Sequence, residues 1–491
     1  MKVLLVNPKT EKYSRSVTVP LGLLSIASSL ETQGHQVRLY DRTVEKLSLG
    51  AVAGAFQADI VGVSLVSFKS ISDALKVSVF FKQFSVPVIW GGPLGTELAD
   101  AVLKNECVDA VSVGEGEATW TELVRAFEGG TPDLSGIAGL VYRGADGSPV
   151  RSAERPFLDL GTLPDLDWNL VRVEKYFQSS YGCRRMLYLY FAKGCPHSCA
   201  FCYNKNFHRC TYRKRPLDAV LREIVYLVKN YGMDGVYFAD ELLFRNVSEM
   251  HTVCDGLKAL ELPFVWGGQT RIGLFGAEDY AYMYDAGCRW LFFGIESGSE
   301  RVLELMNKRI RFDRIIPTVS DCRKAGIVAI GSFIVGYPGE TVADARQTVD
   351  LIERLDTTLI NINYFVIGPG SDIYRQLVAE GRFPLITSLK QFADLNQIQH
   401  LKFNFSELPA LDMRVLRAWY MWRSFRTDSV SVDGKQESFT KKVVTDAIRS
   451  LRGGNLSDFI HATISSGFEF LQIFFDAHFH PKVKKKYGLR R

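Results

Sequence analysis

At 491 residues the chain is long enough for two or three domains. With 47% apolar and 23% charged residues, and 59 Lys and Arg against 54 Asp and Glu, the composition excludes a disordered chain and offers no electrostatic case for nucleic acid as the main partner. Nine cysteines are too few for a disulfide-bonded secreted scaffold, the opening MKVLLVNP lacks the apolar core of a leader, and no run of about 18 apolar residues points to a spanning helix, so the expected setting is a reducing cytoplasm.

The first 130 residues alternate strand and helix patterns. Strands are expected at Lys2–Asn7, Val37–Tyr40, Asp59–Ser64, Val86–Trp90 and Asp109–Val113, with helices over Pro20–Gly34 and Ser72–Phe84. This alternation predicts a doubly wound parallel sheet, whose ligands sit beyond the carboxyl ends of the strands. Gly91-Gly92-Pro93 and Gly114-Glu115-Gly116-Glu117 lie at such ends, as binding turns or simply as tight ones. Residues 136–180 read as a connector, with a hairpin formed by Gly136–Arg143 and Pro149–Arg151 and several Pro and Asp after it.

The alternation resumes at Leu187. Strands are expected at Leu187–Ala192, Gly235–Ala239, Phe264–Gln269, Trp290–Gly294, Ile327–Val335 and Thr358–Val366, with helices such as Leu217–Tyr231 and Val342–Leu355 between them. Six strands with intervening helices suit a partial (β/α)6 barrel, whose chemistry sits at the carboxyl ends of its strands. From about residue 405 the pattern turns helical, with Leu411–Phe425 and the aromatic stretch Leu456–Phe479, and the chain ends in a basic segment, Lys482–Arg491. The expected division is 1–135, a connector 136–180, a barrel 181–405 and a helical region 406–491.

The motif with the clearest chemistry is Lys193-Gly194-Cys195-Pro196-His197-Ser198-Cys199-Ala200-Phe201-Cys202, which follows the first barrel strand. Thiolates are soft ligands, suited to iron–sulfur clusters and to zinc. Three of them hold three corners of a 4Fe–4S cube and leave one iron open. Zinc would need a fourth ligand, for which Cys210 and His208 are nearby candidates. Cys107, Cys254, Cys288 and Cys322 read as small buried hydrophobes.

This segment resembles the signature of the radical SAM superfamily, including the aromatic Phe201 before the last cysteine. The resemblance implies a 4Fe–4S cluster on Cys195, Cys199 and Cys202 whose open iron chelates S-adenosylmethionine. It extends to Val236–Phe244 (VYFADELLF), Gly267–Arg271, Gly294–Ser299 (GIESGS), Gly331–Thr341 (GSFIVGYPGET) and Pro369-Gly370-Ser371. By that resemblance Phe201, Asp240, Glu241, Gln269, Arg271, Gly294, Glu296, Ser297 and Val335 are the candidate SAM neighbours. For Asp240 or Glu241 a helix N-terminal charge, for Arg271 an ion pair, and for Ser297 a helix cap are the structural alternatives.

The front domain resembles the cobalamin-binding domain of the cobalamin-dependent branch of that superfamily. Asn7, Ser64, Gly91, Gly92, Pro93, Gly114 and Glu115 are its candidate cobalamin contacts. The loop Pro8–Val19 has no His to ligate cobalt, which fits members that bind cobalamin without one and equally a domain that has lost it. The resemblance implies C-methylation of an unactivated carbon: one SAM methylates cobalamin, a second yields a 5′-deoxyadenosyl radical, and the substrate radical takes the methyl group. Ring closure or oxidation of a large or lipophilic substrate, as by the anaerobic tetrapyrrole cyclase, is the alternative inside the superfamily, and a non-catalytic cobalamin or cluster sensor the alternative outside it. A flavodoxin or ferredoxin is the expected electron donor. The aromatic segment from Phe459 to Phe479, followed by Lys482, Lys484, Lys485, Lys486, Arg490 and Arg491, suggests either contact with an anionic membrane surface or a helix packed over the barrel mouth.

Overall fold

A computed structural model describes residues 1–10, 17–130, 132–355, 359–394, 403–426, 476 and 480–489. Two seven-stranded sheets organise it. The first contains β1 (Lys2–Asn7), β2 (Gln36–Asp41), β3 (Ile60–Ser64), β4 (Val88–Gly91), β5 (Ala110–Ser112), β6 (Leu140–Arg143) and β7 (Pro149–Arg151), in the order β2-β1-β3-β4-β5-β6-β7. β1 to β5 are parallel, as expected of apolar strands buried on both faces by crossover helices. The chain direction of growth reverses between β1 and β3, so this order places a switch point there, where doubly wound sheets open a crevice for ligands.

The expected hairpin forms and adds β6 and β7 antiparallel to β5. Its turn closes on Asp146, whose carboxylate accepts from Ser148 N (3.0 Å) and Ser148 Oγ (2.6 Å). The rest of the connector docks on both halves: Trp168 Nε1 donates to Glu223 at 2.9 Å, Asp167 N to Ser28 Oγ at 2.8 Å, and Tyr176 OH to Asp41 at 2.9 Å.

The second sheet contains β8 (Gln178–Ser180), β9 (Cys183–Leu189), β12 (Gly235–Phe238), β13 (Val265–Thr270), β14 (Cys288–Glu296), β15 (Val328–Val335) and β16 (Leu359–Tyr364). Between β9 and β12 lies a separate two-stranded pair, β10 (Ala192–Lys193) and β11 (Arg213–Lys214). Six strands run parallel in the order β16-β15-β14-β13-β12-β9, and β8 lies antiparallel on the outside of β9, so the barrel is incomplete and its edge strands β16 and β8 do not meet.

Register and burial separate the sheet's two faces. Leu187, Val236, Trp266, Leu291, Ala329 and Ile362 face the surrounding helices and lie in the larger core. Tyr188, Tyr237, Trp290 and Ile330 face inward and form a second, smaller cluster. Tyr181 stacks on Trp290 at 4.8 Å and Tyr188 packs against Tyr237 at 4.7 Å, so aromatic rings fill the lower part of the half-barrel. At the C-terminal end the helix Ala410–Arg426 packs on β16, and Pro481–Lys486 packs on that helix. Most of the aromatic stretch Leu456–Phe479 lies outside the described residues.

Gly267 sits on the inner face of β13, where an added Cβ would run into the backbone carbonyl and indole of Trp290. Gly267→Ala should therefore lower stability by about 2 kcal/mol. Gly54, inside the helix Leu49–Phe56 and facing open space, should gain up to about 1 kcal/mol on the same change. Thermal unfolding of the two variants should move Tm in opposite directions.

Candidate functional site

The three-cysteine loop leaves β10 and crosses the carboxyl ends of the barrel strands. Its entry depends on Gly194, at φ +86°, where a Cβ would strike the Thr211 carbonyl. Asn204 holds the loop's start from both sides, accepting from Cys195 N at 3.0 Å and donating to Cys195 O at 2.6 Å. Asn307 Nδ2 donates to Ser198 O at 2.7 Å, and Ala200 N to Met306 O at 2.8 Å. Cys199 is buried, Cys195 and Cys202 are half-buried, and the three thiols lie close enough for their charges to act on one another. Burial pushes the Cys195 thiol up and that of Cys202 to about 11.

Among the described residues no three His, Cys, Asp or Glu side chains converge on a single-ion site. The two candidates for a fourth zinc ligand are turned to other partners: Cys210 Sγ toward His197 O (3.6 Å) and His208 Nε2 to Glu241 (3.4 Å). A spaced trio of thiols suits the corners of a cubane better than one tetrahedral zinc ion, whose ligands all lie about 2.3 Å from it. Cys254, Cys288 and Cys322 are buried, as their apolar settings predict, and Cys107 is half-buried.

Asp240 and Glu241 anchor this loop in different ways. Asp240 is buried and accepts from Phe191 N at 3.1 Å and from Ala192 N, which fixes the end of the first barrel strand. Burial raises its carboxyl well above the ordinary range in spite of those bonds. Glu241 accepts from Gly194 N (3.0 Å) and Tyr203 OH (2.6 Å). Burial alone would raise it, but His208 and Tyr203 outweigh that and hold its carboxyl at about 2.

The upper inner face of the barrel brings together Gln269, Gly294 and Glu296. Glu296 has φ +71°, a left-handed conformation at a break in the β14–β15 register, and its carboxylate meets Lys308 Nζ at 2.7 Å. An added Cβ at Gly294 would lie 2.6 Å from the Glu296 carboxylate and 2.9 Å from Lys308 Nζ, so glycine makes room for this ion pair on the inner face. Arg271 is committed to the backbone, donating to the carbonyls of Lys308 and Arg309. Two expected neighbours are not brought to this face. Ser297 is fully buried on Thr348 (3.2 Å), and Val335 lies in the outer core; β14 and β15 turn these side chains toward the helix Val342–Arg354. Phe201 packs edge-on to Tyr337 at 6.5 Å.

In the first sheet, Ser64, Gly91, Gly92, Pro93 and Gly114 cluster at the strands' carboxyl ends. Gly92 has φ +87°, with its Cβ position 2.9 Å from the Leu65 carbonyl and 3.1 Å from Ser64 Oγ, so the loops after β3 and β4 interlock there. A Cβ at Gly114 would meet nothing within 4 Å, and Val66, in the loop after β3, is 65% exposed. An open ledge with an apolar edge fits a broad, flat ligand such as a corrin. Asn7 and Glu115 have other partners: Asn7 Nδ2 donates to Asp41 at 3.0 Å, and Glu115 receives both Arg213 NH groups, at 2.8 and 2.9 Å.

That last contact belongs to a network the sequence did not reveal. Lys193 and Arg213 are cross-strand partners in the β10–β11 pair. They face Glu115 and Glu117, two residues apart after β5. Lys193 Nζ lies 3.0 Å from Glu117 and 3.6 Å from Glu115, and Ser25 Oγ donates to Glu117 at 2.7 Å. Burial works against the Lys193 ammonium, but Glu117 more than restores it, and its pKa lies above the ordinary lysine value. Burial would likewise raise Glu117, and Lys193 brings it below the usual carboxylate range. Lys193 immediately precedes the cluster loop, so the network joins that loop directly to the ledge of the first sheet. The only hint in the sequence is a lysine at the end of an otherwise apolar strand, YLYFAK.

Comparison with known proteins matches residues 189–352 to the radical SAM superfamily and residues 13–124 to the B12 binding domain. An uncharacterised methyltransferase of Pyrococcus horikoshii is 29% identical over 83% of this chain and 89% of its own length. The cytidylyl-2-hydroxyethylphosphonate methyltransferase of Streptomyces wedmorensis is 26% identical over 77% of this chain and 82% of its own. The anaerobic magnesium-protoporphyrin IX monomethyl ester cyclase of Rubrivivax gelatinosus is 27% identical over 77% of this chain and 70% of its own. The fold matches the radical SAM methyltransferase TsrM of Kitasatospora setae, solved with cobalamin and a [4Fe-4S] cluster, with a TM-score of 0.65 at 20% identity over 79% of each chain. It also matches the cobalamin-dependent radical enzyme OxsB, with a TM-score of 0.69 at 15% identity over 97% of this chain and 72% of that one.

Lys193→Met leaves the Glu117 carboxylate buried without its cation, held only by Ser25 and a backbone amide. It should cost roughly 3 kcal/mol, and adding Glu117→Gln should recover part of the loss in a denaturant double-mutant cycle.

Glu340 supplies a pH prediction. Burial raises its carboxyl to about 7, against the amides of Gly336 and Tyr337 that hold one oxygen, and its other oxygen has no partner. Between the ordinary carboxylate pKa and about 7, the folded chain keeps a proton that the unfolded chain releases, so stability falls as pH rises through that window. The loss is on the order of 3 kcal/mol, complete above the folded pKa. Glu340→Gln should abolish it, and the variant's Tm should gain on the wild type's between pH about 5 and about 8.

Proposed function

The chain belongs to the cobalamin-dependent radical SAM superfamily, and on that premise we propose that it is a C-methyltransferase acting on an unactivated carbon of a small molecule. The observation that carries the proposal is the ionic join of Lys193 and Arg213 to Glu115 and Glu117. Methyl transfer to such a carbon needs two reagents to converge on one atom, and this join ties together the two loops that would hold them. When bound, the cluster supplies the electron that cleaves SAM, and cobalamin supplies a transferable methyl group.

In this reading Cys195, Cys199 and Cys202 hold the cluster, with Asn204, Asn307 and Glu241 fixing their loop. Gly294, Glu296 and Gln269 form the shelf for SAM, and Lys308 keeps the Glu296 carboxylate in place. Ser64, Gly91, Gly92, Pro93 and Gly114 form the ledge for cobalamin, with Asn7 and Glu115 supporting it from behind through Asp41 and Arg213. Residues 1–135 are the cobalamin-binding part, 136–180 the connector, 181–405 the barrel and 406–491 the C-terminal region.

One-electron cleavage of SAM requires a reductant, for which a flavodoxin or ferredoxin is the natural class, and free thiols with an oxygen-sensitive cluster suit a reducing cytoplasm. No helix among the described residues is long and apolar enough to cross a membrane. In the described part of the basic end, Lys486 pairs with Asp412 at 2.6 Å and Lys484 lies 4.1 Å from the Trp419 ring centroid, so these two lysines are engaged within the chain. Oxidative ring closure remains the second reading, on the 27% identity with the Rubrivivax gelatinosus cyclase.

Anaerobic protein from cobalamin-supplemented cells should carry about four irons and one cobalt per chain. Alanine at any of Cys195, Cys199 or Cys202 should remove the iron and the release of 5′-deoxyadenosine while cobalt is retained. With substrate, the product should gain one CH2 unit; a product that loses two hydrogens instead would establish the cyclase-type reaction.

A further inference from the structure

β16 reads LININY, with Ile360, Ile362 and Tyr364 facing outward and Leu359, Asn361 and Asn363 inward, Leu359 at the lower, aromatic end and the two asparagines above it. The outward Ile362 is buried in the outer core, as a strand residue should be. Asn361 and Asn363 are exposed within the half-barrel; their backbones join the β15–β16 ladder, and their carboxamides have no side-chain hydrogen bond among the described residues. Asparagine is depleted in strands. Two of them confined to one face of a six-residue strand therefore break the local rule only where the lumen is.

Their neighbours share the same chemistry. Ser332 is the register partner of Asn361 on β15, and Gln269 is exposed on the inner face of β13, with its amide on the Tyr237 hydroxyl. The charged groups placed on this face are committed elsewhere: Arg271 to two backbone carbonyls, and Glu296 to Lys308. The aromatic rings of Tyr188, Tyr237 and Phe292 lie below.

We propose that Asn361 and Asn363 read the substrate, and that the substrate is a neutral molecule bearing amide or hydroxyl groups. Inward positions two residues apart on a strand are about 7 Å apart, so the pair engages two polar groups at that separation. Each carboxamide both donates and accepts, which suits amides and alcohols. A carboxylate or phosphate would find no uncommitted cation on this face among the described residues, and a purely lipophilic molecule would strand two carboxamides without partners. This assignment rests on the methyltransferase reading for its placement beside the radical site, and it replaces the expectation of a lipophilic substrate.

Matched probes test it on the reconstituted holoenzyme with SAM: indole-3-acetamide against indole-3-acetate, cytidine against cytidine 5′-monophosphate, and protoporphyrin IX as the large lipophilic case. Saturation-transfer NMR should show the neutral member of each pair binding at least about tenfold more tightly than its anion. Asn363→Leu should weaken the neutral probes about tenfold, and the isosteric Asn363→Asp should do so without a change in iron or cobalt content. Anions bound as well as or better than their neutral partners, neutral binding indifferent to both variants, protoporphyrin preferred, or no neutral probe bound would each overturn the proposal. Release of 5′-deoxyadenosine is measured in parallel. Its absence from an iron-loaded enzyme that still binds neutral probes through Asn363 would overturn the methyltransferase reading and leave the lumen's specificity standing.

Discussion

The relative placement of the two halves depends on four charges held out of water. Lys193 and Arg213 come from one two-stranded pair and Glu115 and Glu117 from one turn, so each side presents its charges as a preformed couple. Removing such groups from water is costly, and only good geometry with further hydrogen bonds offsets the penalty. Here the geometry is of that kind. Arg213 makes a two-pronged contact with Glu115, Ser25 completes Glu117, and Phe157 lies under the Arg213 guanidinium at 4.1 Å. An apolar join could slide, whereas this one has a single register. It thereby sets the distance between the ledge of the first sheet and the cysteine loop, on which a reaction needing both depends.

The same economy of charge runs through the cysteine loop. Asp240 and Glu241 are adjacent in sequence, yet burial drives one carboxyl up and hydrogen bonds hold the other down. Asp240 is an internal clasp on the end of the first barrel strand. Glu241 gathers Gly194, Tyr203 and His208, which bracket the loop at its start and after its last cysteine. Helix Pro93–Glu97 reaches across from the other half: the Glu97 carboxylate meets Asn206 just past the loop, and burial raises its pKa. The loop is thus framed from both domains before any cofactor is added.

What was legible in the sequence follows from the range of the interaction that determines it. Strands such as Lys2–Asn7 and Ile60–Ser64 are short apolar runs ended by Pro or Ser, and each strand expected of the barrel overlaps an observed one. The Gly144–Ser148 hairpin turn was readable because Asp146 and Gly147 act within the turn itself. Helix Leu49–Phe56 was missed because Ala and Gly fill it and give no apolar period. The β10–β11 pair was missed because two-residue strands have no period at all, and with it went Lys193 and Arg213. Asn7, Glu115, Ser297 and Val335 were assigned by the resemblance of short motifs at strand ends, which fixes where a backbone ends but not which way a side chain turns. Their partners Asp41, Arg213 and Thr348 lie tens of residues away, beyond anything local spacing encodes.

The places where local rules fail lie along the site. On the outer face of the barrel the rules hold: isoleucine, valine and leucine fill strand positions, and Thr341 caps the helix Val342–Arg354 through a reciprocal bond with Asp344. On the inner face Glu296 occupies a left-handed conformation that costs a residue with a side chain about 1 kcal/mol or more. Asn361 and Asn363 occupy strand positions that a β-branched residue would fill better. Gly294 and Gly267 give up side-chain packing in the middle of strands. The glycines make room for Trp290 and for the Glu296–Lys308 pair, the strained glutamate and the two asparagines do nothing for the fold, and all of them lie on one surface, shared by β13, β14 and β16. Stability is conceded there and recovered in the helical shell, which is the distribution expected when a lumen is shaped for a ligand and its walls for the fold.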